Sequence, residues 1–217
     1  MPRHTDPIWR ESRALDFSLL ENKKEFSRGK KRLVPPGQHA YKKKRKPSSY
    51  ALRNKEKKKI LLLYGLKEKQ LKNLFLKLKK EKGDIRQNLL TKLESRLDNL
   101  VFRSGLVPTR KFARQWVSHD HFLVNSNKEN IVSHLIKPSN ISKSKTIIAL
   151  EEEMHQNKVI KEEIKKNKTS PVFLEVDKEK LTINYLRYPS QKELFEASPE
   201  LKKLNVSLVV EWYNKKI

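Results

Sequence analysis

The chain contains no cysteine. Disulfides, thiolate zinc sites and cysteine nucleophiles are excluded together. Glycine is nearly as scarce, with five in 217 residues, and none belongs to a Gly-rich phosphate loop. Long apolar runs are missing. The longest candidate, Ile60 to Tyr64, falls far short of the ~20 residues that a spanning helix needs. The N-terminal stretch around Trp9 and Arg10 mixes charges and has no apolar segment of a secretory signal, so a cytoplasmic chain with no membrane partner is expected. Metal-ligand arrays are lacking too. Six His are present; His119 and His121, two apart, are expected on opposite sides of a strand, which suits shared ligation poorly. No metal and no cofactor is expected.

Negative charge is the other shortage. Fifty Lys and Arg stand against 25 Asp and Glu, for a formal net charge of +25. Self-repulsion on this scale opposes compaction until a polyanion neutralises it. With the membrane set aside, nucleic acid is the expected polyanion. A hydrophobic content of 36% closes only a modest core, in one or two domains. No homo-oligomer is expected.

The chain falls into segments of different character. Residues 1–47 hold turn formers and the basic runs Arg28-Gly29-Lys30-Lys31-Arg32 and Lys42-Lys43-Lys44-Arg45-Lys46. Such runs cannot pack on themselves, so an extended arm with little regular structure is expected. One run alone reads equally well as a solvated tail; several runs on a +25 chain point to RNA. Ser48 or Ser49 can cap a helix that Gly65 stops. Leu71, Leu74, Phe75 and Leu78 then recur at i, i+3, i+4 and i+7, one apolar face of a second helix, with Lys72, Lys77, Lys79 and Lys80 around the rest. Gly83-Asp84 is a break, and Ile85 to Leu93 begins a third helix.

The segment from residue 93 to 137 is the most informative. Read as one helix, Leu93 to Arg103 puts Leu93, Leu97, Leu100 and Val101 on one face and Arg96, Asn99 and Arg103 on the other. Gly105 is placed as the left-handed residue after the helix. Thr109 is an N-cap for a helix with Phe112, Ala113, Trp116 and Val117 as its buried stripe. Phe122-Leu123-Val124 reads as a strand, Asn125-Ser126-Asn127 as its turn, and Ile131 to Ile136 as extended chain. Thr146 to Leu150, Val172 to Val176 and Leu181 to Tyr185 read as further strands, the last two pairing across Asp177–Lys180. Glu151 to Lys168 is helical in propensity, with Glu151-Glu152-Glu153 as a solvated helix start. The tail Leu208-Val209-Val210 with Trp212 is expected to be buried.

The helix pair carries the functional expectation. Arg96, Arg103, Arg110 and Arg114 are expected on adjacent exposed faces of a rigid two-helix unit, with Asn99, Lys111 and Gln115 beside them. Guanidinium groups fork onto phosphate oxygens and stack on unpaired bases. Thr109 and the open backbone N–H groups of its helix can receive a phosphate, and Asn125 and Lys128 extend the surface. In the arm and first helix, Arg3, Arg10, Arg13, Lys42, Lys43, Lys44, Arg45, Lys46 and Arg53 are candidate RNA contacts. Trp9 and Tyr50 either stack on bases or anchor the arm. Asp98 reads as structural, orienting neighbouring Arg, because a carboxylate facing phosphate is repelled. Trp116 lies on the apolar stripe and is expected in the core. His119 by itself reads as a helix C-cap.

Ser95-Arg96-Leu97-Asp98-Asn99, Thr109-Arg110, Ala113-Arg114-Gln115, His119 and Val124-Asn125 resemble the RNA-binding module named for the fourth protein of the small ribosomal subunit. The flanks resemble that ribosomal family as well: Pro36-Gly37-Gln38-His39, Leu63-Tyr64-Gly65-Leu66, Phe173-Leu174-Glu175-Val176-Asp177 and Val209-Val210-Glu211-Trp212-Tyr213. The likeness is to the bacterial, zinc-free type. It implies an α+β fold, a mostly helical domain interrupted by a mixed α/β RNA-binding domain. That inserted domain holds two steeply crossed helices plus a small antiparallel sheet. The expected division is a basic N-terminal arm at 1–47, a helical domain at 48–93 completed by 186–217, and an inserted domain at 94–185 with the helix-pair module at 94–137. The resemblance also implies a structural constituent of the small ribosomal subunit that binds 16S rRNA early and nucleates assembly. Implied partners are the fifth and third small-subunit proteins and mRNA near its entry channel, with an influence on translational accuracy. His119 becomes an RNA contact on this ground.

The sequence departs from the family at two points. Ala40 and Ser126 stand where Gly is usual, and Asn125 or Asn127 is expected to supply the positive φ in the hairpin. The module also occurs in free RNA-binding regulators and stress proteins, and the matching flanks argue against those. It occurs in pseudouridine synthases too, and Arg96-Leu97-Asp98 is superficially like their catalytic motif. There a Thr follows the Asp by three residues; here Val101 holds that place. An enzyme is not expected.

Overall fold

A computed structural model describes residues 6–21, 26, 34–38, 46–141, 146–151, 154–166 and 170–216. The runs Arg28–Arg32 and Lys42–Arg45, with Arg3 and Ala40, lie outside the described residues. The chain forms two compact units, one of residues 1–89 with 198–217 and one of residues 90–197.

The first unit is helical. Helix α1 (Ile8–Leu15) is followed by a left-handed Asp16 and by the buried pair Phe17 and Leu19. An extended arm with little regular structure was expected here; the stretch from Ile8 to Leu15 is helical instead. Apolar residues in and just after the helix give it something to bury, and the Ser12 hydroxyl accepts from the Leu19 N–H. Helix α2 (Ser49–Leu63) starts where the Ser48 side chain accepts from the Ala51 N–H at 3.2 Å and stops ahead of Gly65, at φ 57°. Helix α3 (Glu68–Leu78) buries Leu71, Phe75 and Leu78. Helix α4 (Ile85–Glu94) follows left-handed Gly83, and its residues from Leu90 on belong to the second unit. The last helix, α9 (Val206–Lys216), packs on α2. Its Tyr213 ring lies 5.1 Å from that of Phe75, and its hydroxyl donates to Glu68, which also pairs with Lys57 at 2.8 Å.

The second unit sets helices beside a sheet. Helices α5 (Leu97–Arg103) and α6 (Arg110–Ser118) pack together. Strands β1 (Phe122–Val124), β2 (Asn127–Lys128), β3 (Ile147–Leu150), β4 (Leu174–Asp177) and β5 (Thr182–Tyr185) form one sheet in the order β2-β1-β3-β5-β4. Every neighbouring pair is antiparallel. Alternation sets the buried face: Ile148 and Leu150 on β3, Ile183 and Tyr185 on β5. Helices α7 (Lys158–Lys166) and α8 (Gln191–Ala197) complete the unit. The helix expected from Glu151 begins later, at Lys158. The Glu151 N–H instead bonds the His121 carbonyl, extending the sheet, and the Asn157 side chain accepts from the Val159 N–H to open α7.

One more difference decides the site. The single helix expected from Leu93 to Arg103 is broken at Ser95 and Arg96. Arg96 is extended, at φ −72° and ψ 142°. The chain at 132–136 pairs with it: the Ile136 N–H donates to Ser95 O, Leu97 N–H to His134 O, and Asp98 N–H to Val132 O. These bonds satisfy the groups that a helix interior would have paired. The Tyr185 and Ser95 hydroxyls, 2.8 Å apart, pin the break from the sheet side.

Candidate nucleic-acid interface

Helix α6 presents the basic face. Thr109 caps it by accepting from the Phe112 N–H at 3.2 Å. Ala113, Trp116 and Val117 are buried beneath it, so Trp116 is core. Lys111, Gln115, Ser118 and His119 are exposed, with Arg110 and Arg114 half-buried along the same helix. His119 is the C-cap residue. The expected separation of His119 from His121 does not hold. Left-handed Asp120, at φ 63°, turns the chain so that the two rings lie near-parallel with centroids 6.1 Å apart.

The expectation that Arg96, Asn99 and Arg103 face solvent is also overturned. Their exposures are 7%, 1% and 7%. Two carboxylates bring them inside. Asp98 accepts from Arg96 through Nε at 3.1 Å and Nη2 at 3.0 Å, and from Arg114 Nη2 at 2.9 Å. Glu94, 1% exposed, accepts from Arg103 through Nε at 2.9 Å and Nη2 at 3.0 Å, and from Asn99 Nδ2 at 2.5 Å. Asn99 Oδ1 in turn accepts from Arg110 Nε at 2.7 Å, and the Arg110 guanidinium lies over the Phe102 ring at 4.4 Å. Each of these cations has a counter-charge or acceptor, the condition under which burial is tolerated. The orienting role expected of Asp98 is thus visible in its bonds. Helix α5 is buried on both sides, apolar on one and ionic on the other.

Glu94 had no part in the sequence reading. On an unbroken helix, residues nine apart point about 180° from each other, so Glu94 and Arg103 would have faced opposite ways. The break at Ser95–Arg96 turns them together. The one available signal was an acid, beside Asp98, among several Arg within ten positions.

The other described candidates lie on other elements. Lys128 pairs with Glu151 at 2.6 Å, and that ammonium is the main cause holding the Glu151 carboxyl below its usual value. The Asn125 side chain accepts from the Ile147 N–H at 3.0 Å, so its oxygen serves the sheet. In the first unit Arg10, Lys46 and Tyr50 are exposed and Arg13 is half-buried. Arg53 pairs with Glu211 at 3.4 Å. The Tyr50 ring rests 4.6 Å from that of Trp212. Among the described residues, no group of three or more His, Asp and Glu is placed to hold a metal ion, and no helix is long and apolar enough to cross a membrane.

Residues 3–94 match the family model described as the ribosomal protein S4/S9 N-terminal domain, and residues 95–141 match the S4 domain. The chain is 42% identical over 219 residues to the small ribosomal subunit protein uS4 of Mesoplasma florum, covering 100% of both chains. It is 43% identical over 215 residues to uS4 of Ureaplasma urealyticum, covering 99% of each. With uS4 of Mycoplasma capricolum the identity is 39% over 218 residues, covering 100% of this chain and 99% of the other. With both halves of the family pattern present in order and the likeness running end to end, the chain belongs to the uS4 family of small ribosomal subunit proteins.

Proposed function

We propose that the protein is a structural constituent of the small ribosomal subunit that binds 16S rRNA and takes part in assembling that subunit. The end-to-end identity with small-subunit proteins carries this reading. The chemistry agrees with it. A chain of net charge +25 needs a polyanion, and α6 offers cations on a capped helix seated on a buried stripe. Arg110, Lys111, Arg114, Gln115 and His119 are the proposed contact face. Arg96, Asn99 and Arg103 stand behind it as support. The basic residues Arg3, Arg10, Arg13, Lys42, Lys43, Lys44, Arg45, Lys46 and Arg53, with Tyr50, add contacts from the N-terminal part, and Lys128 with Asn125 adds them from the hairpin. RNA is gripped by backbone and shape rather than read base by base. The working place is the cytoplasm. The fifth and third small-subunit proteins are the proposed neighbours, near the path by which mRNA enters, where the protein contributes to translational accuracy.

Enzyme chemistry has no support here. Asp98, the residue a pseudouridine synthase would need free, is buried and bound by two guanidinium groups.

Filter binding to 16S rRNA tests the contact face. Replacing Arg110 and Arg114 together with Ala is expected to weaken binding by about a hundredfold, two charge-assisted contacts. The circular-dichroism spectrum is expected to be unchanged. Affinity equal to that of the parent would remove α6 from the interface. Sedimentation with small subunits through a high-salt gradient separates a ribosomal constituent from a free regulator, which would stay at the top.

A further inference from the structure

Glu94 lies beneath the proposed RNA face, and its bonds lead toward that face. Its carboxylate is held at both oxygens by Arg103, so it cannot turn. Asn99 sits between this acceptor and the donor Arg110 Nε. A carboxylate only accepts and a guanidinium only donates. The Asn99 amide satisfies both in one orientation alone. Its Nδ2 faces the Glu94 side chain at 2.5 Å and the Glu94 main-chain oxygen at 3.2 Å, and its Oδ1 faces Arg110 at 2.7 Å. The Phe102 ring, 4.4 Å from the guanidinium carbon, supports the plane from its face. We propose that Glu94 is a positioning residue for RNA binding, which sets the direction of the Asn99 amide and through it the guanidinium plane of Arg110. The proposal rests on the reading of α6 as an RNA-contacting face. A flexible arginine must lose its rotamer freedom when it meets a phosphate; one already held in plane has less to lose.

Replacing Glu94 alone would leave Arg103 buried without its counter-charge. Exchanging both partners for apolar residues of similar size avoids that cost. The test is a cycle on the full chain with 16S rRNA. It compares Arg110→Ala, the pair Glu94→Met with Arg103→Met, and all three together. Arg110→Ala is expected to bind about tenfold more weakly, the loss of one charge-assisted contact. The pair replacement is expected to cost a several-fold loss, and that loss should vanish when Arg110 is already Ala. Losses that multiply would overturn the proposal, because Glu94 and Arg103 would then act on RNA or on the fold directly. An undiminished affinity in the pair variant overturns it as well. If Arg110→Ala itself changes nothing, the reading of the α6 face fails and the proposal with it. The Arg110 Nε–H resonance in a 15N-labelled protein gives a readout independent of RNA. It should be slow to exchange in the parent and fast in the pair variant; an unmoved resonance overturns the positioning role. Should the pair variant fail to fold, Asn99→Ala, which keeps the Glu94–Arg103 pair whole, goes through the same cycle with the same outcomes.

Discussion

Two arginines share the carboxylate of Asp98, one buried and one, Arg114, with 19% of its side chain exposed. Like charges this close repel in a low-dielectric setting unless an anion lies between them. Asp98→Asn keeps the shape and removes that anion. The expected cost is about 3 kcal/mol of folding stability, the low end for breaking a buried pair, read from equilibrium urea unfolding. A loss below about 1 kcal/mol would show the pair behaving as a surface bridge. At this scale the sequence was informative about residue type and poor about direction. Asp98 could be assigned an orienting role because a carboxylate has little business facing phosphate. Arg96 and Arg103 could not be placed, because side-chain direction depended on a helix phase that no local signal disclosed.

The β1–β2 hairpin turns through Asn125 at φ 50° and Ser126 at φ 70°, both left-handed, as a tight two-residue hairpin requires. Asn tolerates that region. Ser does so at a cost, and it stands where a Gly would fit without strain. Ser126→Gly is expected to raise stability by about 0.5 kcal/mol, the relieved strain exceeding the added freedom of the unfolded chain. Calorimetry would show a higher Tm; a lower one would mean that the turn is not strained at Ser126. Most elements were legible because their ends carry local chemistry. Ser48 and Thr109 cap, Gly65 and Gly105 stop, and Leu71, Phe75 and Leu78 keep helical spacing. The break between α4 and α5 has neither Gly nor Pro. It exists because the chain near residue 134 offers Ser95 and Leu97 better partners than a continuing helix would. A pairing across that separation leaves no trace in a local window.

For the whole molecule the balance of charge governs both partner and stability. Arg187 depresses the Glu193 carboxyl below its ordinary value of 4.5, and Lys128 does the same for Glu151. Arg86 lowers Asp84 from 3.8, and backbone N–H groups of Lys180 and Glu179 lower Asp177. A carboxylate depressed on folding adds stability that is complete above its unfolded value and is lost as pH falls through the folded one. Protonation also strips negative charge from a chain already at +25. Stability is therefore expected to be level from pH 7 to about 5 and to fall below about 4.5. Urea midpoints across that range check this, and a rise on acidification would contradict it. The same positive excess is expected to make RNA affinity fall linearly in logarithmic plots against salt, through release of counterions.

Composition and short-range pattern alone determined the class of partner, the absence of cysteine chemistry and most helix and strand spans, while the family rested on the resemblance of particular motifs. Each is set by what one residue or a few neighbours can do. The helical α1, the broken helix at Ser95–Arg96, and the inward turn of Arg96, Asn99 and Arg103 onto Asp98 and Glu94 were decided only in the folded chain. The break depends on hydrogen bonds to the chain at 132–136, it sets the helix phase that turns the ion pairs inward, and α1 rests on burial of the residues in and just after it. A guanidinium takes the nearest well-placed carboxylate, and only the tertiary structure says which that is.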